Sequence, residues 1–281
     1  FSEYKNYQIS DVATRNFSVK DLSVGDVYYT RVRSYMVVDD KTIYSEWSDT
    51  RQATIYDRDI NIGKVDPTKP MIAFSFDDGP AYDYNGSNST KRILDVLEKY
   101  NARATFFMVG ERVNNETKHL LDREIQLGCE LGNHTYSHNH YGSQVTASDI
   151  SKASKQIEKI SGKAPTMFRA PGGNVTPTIR KECKKEGMPL AYWSVDTEDW
   201  RSKDAGKVYK NITKYAYDGS IVLMHDIYPS TADAVEKVVP ELIAKGYQIV
   251  TVSELIAAKT GDNPKPGNQY VDYKTINNNT H

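Results

Sequence analysis

Two carboxylates stand side by side at the end of an apolar run, in Phe74-Ser75-Phe76-Asp77-Asp78-Gly79-Pro80. Residues 71–76 have the composition of a short buried strand, and Gly79-Pro80 marks the turn that ends it. Neighbouring strand side chains point to opposite faces, so Asp77 and Asp78 share one site only if the backbone turns at the strand tip. Crowded carboxylates repel unless a cation or a proton lies between them. An Asp-rich loop cap is the plain alternative. His134 and His138 stand four positions apart, and on a helical turn both imidazoles would share one face, a spacing suited to a common divalent metal. With an Asp from another strand tip they make a two-His, one-carboxylate set that leaves positions open for water and substrate. Zinc suits these donors, as do other first-row ions.

Further candidates occupy the same kind of place. Arg169, Asp199 with Trp200, and His225 each follow a short apolar run, His225 closing Ile221-Val222-Leu223-Met224. Where parallel strands are joined by helices, their carboxyl ends gather loops into one site, so residues spread over about 150 positions would converge. The readings without chemistry are a plain ion pair for Arg169, a core position for Trp200 and a satisfied core histidine for His225.

The elements needed to position these groups are legible from residue 71 onward, where short apolar strands alternate with amphipathic helices. That alternation predicts an α/β domain with a largely parallel sheet. Strands are expected at 71–76, 104–109, 130–132, around Met167-Phe168, and at 190–195, 220–224 and 247–252. Thr90 is expected to cap a helix with Ile93, Leu94 and Leu97 inward, and 116–127 to form the next. Thr146 with Asp149 reads as a capping box for a helix that Gly162 stops, and Thr176-Pro177 opens one that Gly187 ends. Further helices are expected at 205–217, 231–245 and 253–259. Beyond Thr260, Asn, Pro and Gly dominate, so residues 261–281 read as a tail that lacks order or drapes over the surface.

Residues 1–56 have the alternation of antiparallel strands, with Tyr29, Arg31, Arg33 and Tyr35 on one face of a strand over 28–35 and Asp39-Asp40-Lys41 as a turn. The pattern from Leu22 through Tyr28-Tyr29 and Arg31-Val32-Arg33 to Tyr44-Ser45 and Trp47-Ser48 resembles the last strands of a fibronectin type III domain. It reads as a partial sandwich, followed by a polar linker over 57–68. The alternative is a β-rich extension of the second domain.

At 281 residues the chain has room for one large domain and a small one. Its 36 Lys and Arg against 37 Asp and Glu leave a formal charge of −1, so no global field recruits nucleic acid or an anionic membrane. Its apolar runs fall far short of the ~20 residues of a membrane span. The two cysteines, Cys129 and Cys183, make neither a disulfide framework nor a thiolate zinc site; their apolar contexts predict buried free thiols, with a single bridge between them as the alternative.

Five segments carry a resemblance to a family. Ser75-Phe76-Asp77-Asp78-Gly79-Pro80, His134-Thr135-Tyr136-Ser137-His138, Arg169-Ala170-Pro171-Gly172-Gly173, Asp196-Thr197-Glu198-Asp199-Trp200 and Leu223-Met224-His225 resemble, in order, the motifs of the polysaccharide deacetylases. These are the NodB-homology domain or carbohydrate esterase family 4, and the likeness covers about residues 69–258. It implies a distorted (β/α) barrel of about seven units, here placed over 69–260, and metal-dependent removal of acetyl groups from N-acetylated sugars.

Carried over residue by residue, the resemblance implies Asp78, His134 and His138 as metal ligands, Asp77 as general base and His225 as general acid. It implies that Arg169 positions the base and Asp199 orients the acid, that Trp200 and Leu223 wall an acetyl pocket, and that Thr135 and Ser137 support the metal turn. Pro171 and Gly172 fall on the substrate side, with a backbone N–H there facing the oxyanion. Gly172 departs from the aromatic residue many members have, which implies a more open groove. The implied substrate is peptidoglycan N-acetylglucosamine, then chitin oligomers, then acetylated xylan. The implied setting is a secreted or surface-attached monomer with one divalent ion, zinc foremost. A silent glycan-binding module is the competing reading.

Overall fold

The chain divides into two units, residues 1–61 and 62–281. The structure, a computed structural model, describes residues 5–10, 19, 27–54, 65–81 and 88–277. In the first unit β1 (Val27–Thr30), β2 (Tyr35–Val38), β3 (Lys41–Tyr44) and β4 (Arg51–Thr54) form two antiparallel pairs, β1 with β4 and β2 with β3. Asp39 and Asp40 join β2 to β3 with φ of 49° and 59°, as a tight two-residue hairpin requires.

The continuous strand expected over 28–35 is broken at 31–34. There the N–H groups of Val32 and Ser34 donate to the hydroxyls of Ser48 and Ser45 at 2.9 and 3.0 Å, side chains standing in for a backbone ladder. The Arg33 guanidinium lies 3.7 Å from the Tyr44 ring centroid and 4.2 Å from that of Trp47. Much of the expected sandwich fragment, and residues 57–64 of the expected linker, lie outside the described residues.

The second unit runs β5 (Met71–Asp77), α1 (Ser89–Lys99), β6 (Thr105–Met108), α2 (Lys118–Gln126), β7 (Glu130–Asn133), α3 (Ala147–Ser161), β8 (Met167–Phe168) and α4 (Pro177–Lys185). It continues with β9 (Leu190–Ala191), β10 (Val195–Asp196), α5 (Asp199–Ser202), α6 (Ala205–Tyr215), β11 (Ile221–His225), α7 (Pro229–Ala244), β12 (Gln248–Val250), α8 (Val252–Thr260) and β13 (Gln269–Tyr270). The strands make one parallel sheet in the order β10-β11-β5-β6-β7-β8-β9-β13, with β12 beside the first residues of β5. β5 is central and buries all seven residues, as a parallel strand covered on both faces must.

β9 and β10 follow one another in the chain yet lie on opposite flanks of this order. The sheet therefore curls until β10 at one edge and β9, next to the other edge, are joined by three residues of chain, which is the distorted barrel the family resemblance implies. The single strand expected over 190–195 is split for the same reason: its first half bonds β8 and β13, its second half β11. The segment past Thr260 supplies β13, whose Tyr270 is buried and whose carbonyl accepts the Tyr192 N–H at 2.7 Å.

Local signals explain most helix ends. Thr146 and Asp149 form the reciprocal capping box, and Gly162 ends α3 at φ 75°. Thr176 accepts the Ile179 N–H above Pro177. Thr90 is not a cap, because α1 already starts at Ser89 and the Thr90 hydroxyl is engaged elsewhere. A capping box of Thr251 and Glu254 starts α8 at Val252, so the preceding strand ends at Val250. Cys129 and Cys183 are buried and unbridged.

Candidate active site

β5 delivers Asp77 and Asp78 to its carboxyl end, where Asp78 adopts φ 73° and turns the chain. That left-handed residue is what allows both carboxylates onto one side. Three contacts fix the turn. The Arg112 guanidinium donates to the Asp78 carbonyl, and the Val109 N–H donates to the Gly79 carbonyl at 3.0 Å. Beneath Gly79 lies the buried Asp226 carboxyl, so close that a Cβ on Gly79 would sit 2.3 Å from its Oδ2.

His134 and His138 do not lie on a helical turn. They occupy the loop after β7, where Thr135 and His138 take φ of 68° and 55°, and these kinks bring the rings to a 4.8 Å centroid separation. The buried Asn133 organises the loop. Its amide N–H groups donate to Ile150 carbonyl and Ser154 Oγ at 2.9 and 2.8 Å, and its Oδ1 accepts the Thr135 N–H at 2.8 Å. The Gly110 N–H donates to the Thr135 carbonyl at 3.0 Å, so the segment after β6 ties the Asp turn to the His loop. The Thr135 hydroxyl is buried without a partner among the described residues, and Ser137 Oγ accepts the Asn139 N–H at 3.4 Å.

The donors of Asp78, His134 and His138 all lie within 4.8 Å of one another. Each is prepared for a cation. His134 Nδ1 donates to the Arg169 carbonyl at 2.7 Å, which leaves Nε2 as the ligand nitrogen, 3.7 Å from Asp78 Oδ1. Burial, with the neighbouring His134, pulls the His138 pKa below its ordinary value, so its Nε2 stands neutral 3.4 Å from the same oxygen. Burial alone would raise Asp78, but His134, His138, His225 and Arg112 together hold its carboxyl below the usual range. Its Oδ1 is nonetheless buried with no hydrogen-bond partner among the described residues. A buried ionised oxygen facing two imidazole nitrogens fits a divalent ion.

Asp77 stands beside this cluster, Oδ2 lying 3.6 Å from His134 Nε2. Its Oδ1 accepts from Arg169 Nη1 at 2.8 Å. Arg169 is fully buried, donates through Nη2 to the Tyr192 carbonyl at 2.8 Å and rests over Phe107 at 4.2 Å. Burial lowers its pKa against the pull of Asp77.

His225 ends β11 on the neighbouring strand, in register with Asp77. Its Nδ1 donates to Asp199 Oδ1 at 2.8 Å, and its backbone N–H to Oδ2 at 2.7 Å. The buried Asp199 also accepts from Thr231 Oγ1 at 2.7 Å. Burial works against the imidazolium, but the Asp199 bond and the charges of Asp199, Asp77 and Asp78 raise the His225 pKa to about 9. Trp200 is 47% exposed at the start of α5, Leu223 is buried in β11, and Pro171-Gly172 form a short turn with Gly172 at φ 64°. All thirteen residues named from sequence belong to the second unit, on strands, on the segments that follow them and, for Asp199 and Trp200, at the start of α5.

The polysaccharide deacetylase family model matches residues 64–191. A peptidoglycan-N-acetylglucosamine deacetylase of Bacillus cereus is 36% identical over 204 residues, 70% of this chain and 92% of that protein. The chain belongs to the polysaccharide deacetylase family. The peptidoglycan-N-acetylmuramic acid deacetylase PdaC of Bacillus subtilis is 39% identical over 69% of this chain. A solved structure of PdaC superposes with a TM-score of 0.64 at 38% identity, covering 70% of this chain and 95% of that one. The chain spans about two-fifths of the length of the first curated relatives it matches, 40% and 42%.

Sequence reasoning passed over Asn133, Arg112, Thr231 and Asp226, and gave Thr90 a helix cap instead of its contact with Asp226. None has a periodic or spacing signal, apart from the position of Asp226 directly after His225. Each acts through a contact across 17 or more positions, such as Thr90 with Asp226.

Proposed function

We propose that the second unit is a metal-dependent deacetylase hydrolysing N-acetyl groups of a cell-wall glycan outside the cell, with peptidoglycan N-acetylglucosamine as the leading substrate. The observation that carries this is the arrangement of two proton-handling pairs, Asp77 with Arg169 and His225 with Asp199, around one three-donor cluster. The names of the relatives support the peptidoglycan part. Every group comes from one chain, so a monomer suffices.

Amide hydrolysis needs an activated water, a stabilised oxyanion and a proton for the leaving amine. Asp78, His134 and His138 would hold the ion, zinc by the donor set, and the ion would supply Lewis-acid polarisation and acidify water. Asp77 accepts the proton of the attacking water, and Arg169 keeps that carboxylate aimed. His225, held through Nδ1, gives the proton on Nε2 to the departing nitrogen. Base and acid thus have separate environments, one beside a buried guanidinium and one beside a buried carboxylate.

Acetate release from N-acetylchitooligosaccharides and peptidoglycan, before and after stripping and restoring the metal, tests the proposal. Activity should vanish with chelation and return with zinc. Asp77→Asn should keep the metal and lose turnover, whereas His134→Ala should lose both. A metal-loaded protein that binds a glycan but releases no acetate from N- or O-acetylated sugars would instead be a silent binding module.

A further inference from the structure

Tyr141 has no part in the chemistry above, yet it lies against both halves of the site. A Cβ built on Gly172 would come 3.2 Å from Tyr141 Cδ1 and 3.6 Å from Cε1, so the phenol ring covers the flank of the Pro171-Gly172 turn. The ring also meets His138 edge to face, centroids 5.4 Å apart with planes at 85°. Its backbone is seated as well: the next residue, Gly142, takes φ 54°, and a Cβ there would meet Asn174 Nδ2 at 2.7 Å. Despite these contacts Tyr141 remains 52% exposed. A large aromatic held on two sides and open on the rest loses little freedom on meeting a ligand. The absence of a side chain at Gly172 is what makes room for it.

We propose that Tyr141 is a glycan-affinity residue, its ring packing against the C–H face of a pyranose held beside the metal cluster. The inference rests on the deacetylase reading and adds to it the residue that supplies an apolar platform at the open third-motif turn. Pyranose rings have apolar C–H faces, and desolvating such a face on an aromatic ring follows the same physics as other apolar burial.

The test compares Tyr141→Ala, Tyr141→Phe and the unaltered chain on tetra-N-acetylchitotetraose, with metal content measured for each. In Tyr141→Ala the loss should fall on KM, rising about tenfold, rather than on kcat. Tyr141→Phe, which keeps the ring, should lie within about twofold of the unaltered chain. An unchanged KM in metal-loaded Tyr141→Ala overturns the proposal. So does an equal loss in Tyr141→Phe, because the hydroxyl and not the ring would then carry the effect. Loss of metal in Tyr141→Ala, restored in Tyr141→Phe, makes the residue a brace for His138 and overturns it too. If the unaltered, metal-loaded chain neither binds nor deacetylates the glycan, the deacetylase reading fails first and takes this inference with it.

Discussion

Asp199 is the residue on which the acid side of the site turns. Its two oxygens accept the His225 side chain, the His225 backbone and the Thr231 hydroxyl, so the carboxylate is pinned and fully buried. An imidazole donates from its imidazolium form, so with His225 as the proposed acid turnover should be lost as pH rises through its pKa. That pKa is raised to about 9, partly by Asp199 and partly by Asp77 and Asp78. A cation held at Asp78, as proposed, would offset the second part and leave Asp199 as the main support. Asp199→Asn keeps an acceptor for Nδ1 but removes the charge. The alkaline limb of the kcat profile should therefore move to lower pH, with a fall in kcat of about a hundredfold or more. A pH–rate profile with an unmoved alkaline limb would remove His225 as the acid.

At the scale of elements, the site is a set of strand tips joined by one strap, residues 108–112. This strap receives the Gly79 and Thr135 carbonyls and sends Arg112 back to Asp78. The Asp turn is wedged from below by Asp226, whose Oδ2 accepts from Thr90 while Thr90 accepts the Ala81 N–H at 2.9 Å. Burial pushes the Asp226 carboxyl up to about 7, the Thr90 hydroxyl opposing it. Gly79→Ala would thrust a methyl into both Asp226 oxygens and Cγ, at 2.3, 2.5 and 2.7 Å. Since Asp226 is fully buried, the turn must give way instead. Metal affinity should drop at least about tenfold, with partial recovery in Gly79→Ala/Asp226→Ala. Wild-type zinc affinity in Gly79→Ala, measured by competition with a chromophoric chelator, would show that the wedge is unnecessary.

The same elements show what was readable in advance. Asp77, Asp78, His134, His138, Arg169, Asp199 and His225 stood out because polar groups that end apolar strands have no core role to fill. The capping box of Thr146 and Asp149 was readable because it is closed within four residues, whereas in that of Thr251 and Glu254 the expected strand over 247–252 takes in the cap residue. The geometry of the His loop was not readable, since spacing alone favours a helical turn and bonds to residues distant in the chain, among them those of Asn133, Gly110 and Glu111, select the kinked one. Thr90 was misplaced because its partner, Asp226, lies 136 positions away.

At the scale of the whole molecule the parallel sheet was legible from the alternation of strands and helices, but its curling into a distorted barrel was legible only from the family resemblance. Closure depends on residues 190–196 changing partners midway, and no property of those seven residues announces it. β13 supports that passage: the Leu190 N–H donates to the Asn268 carbonyl at 2.8 Å and the Tyr192 N–H to that of Tyr270 at 2.7 Å. Tyr192 in turn offers its carbonyl to Arg169, the partner of Asp77. A chain ended at Gly261 would keep every residue of the site yet lose this brace and the burial of Tyr270. Loss of that burial and two backbone bonds is worth about 3 kcal/mol, and the thermal midpoint should fall by roughly 6–12 °C. The Arg169 guanidinium would be less firmly aimed, so kcat should fall about tenfold while the metal content, which rests on the proposed ligands Asp78, His134 and His138, should be unchanged. Full activity in a truncated chain with the lowered midpoint would separate the stability of the barrel from the alignment of its base.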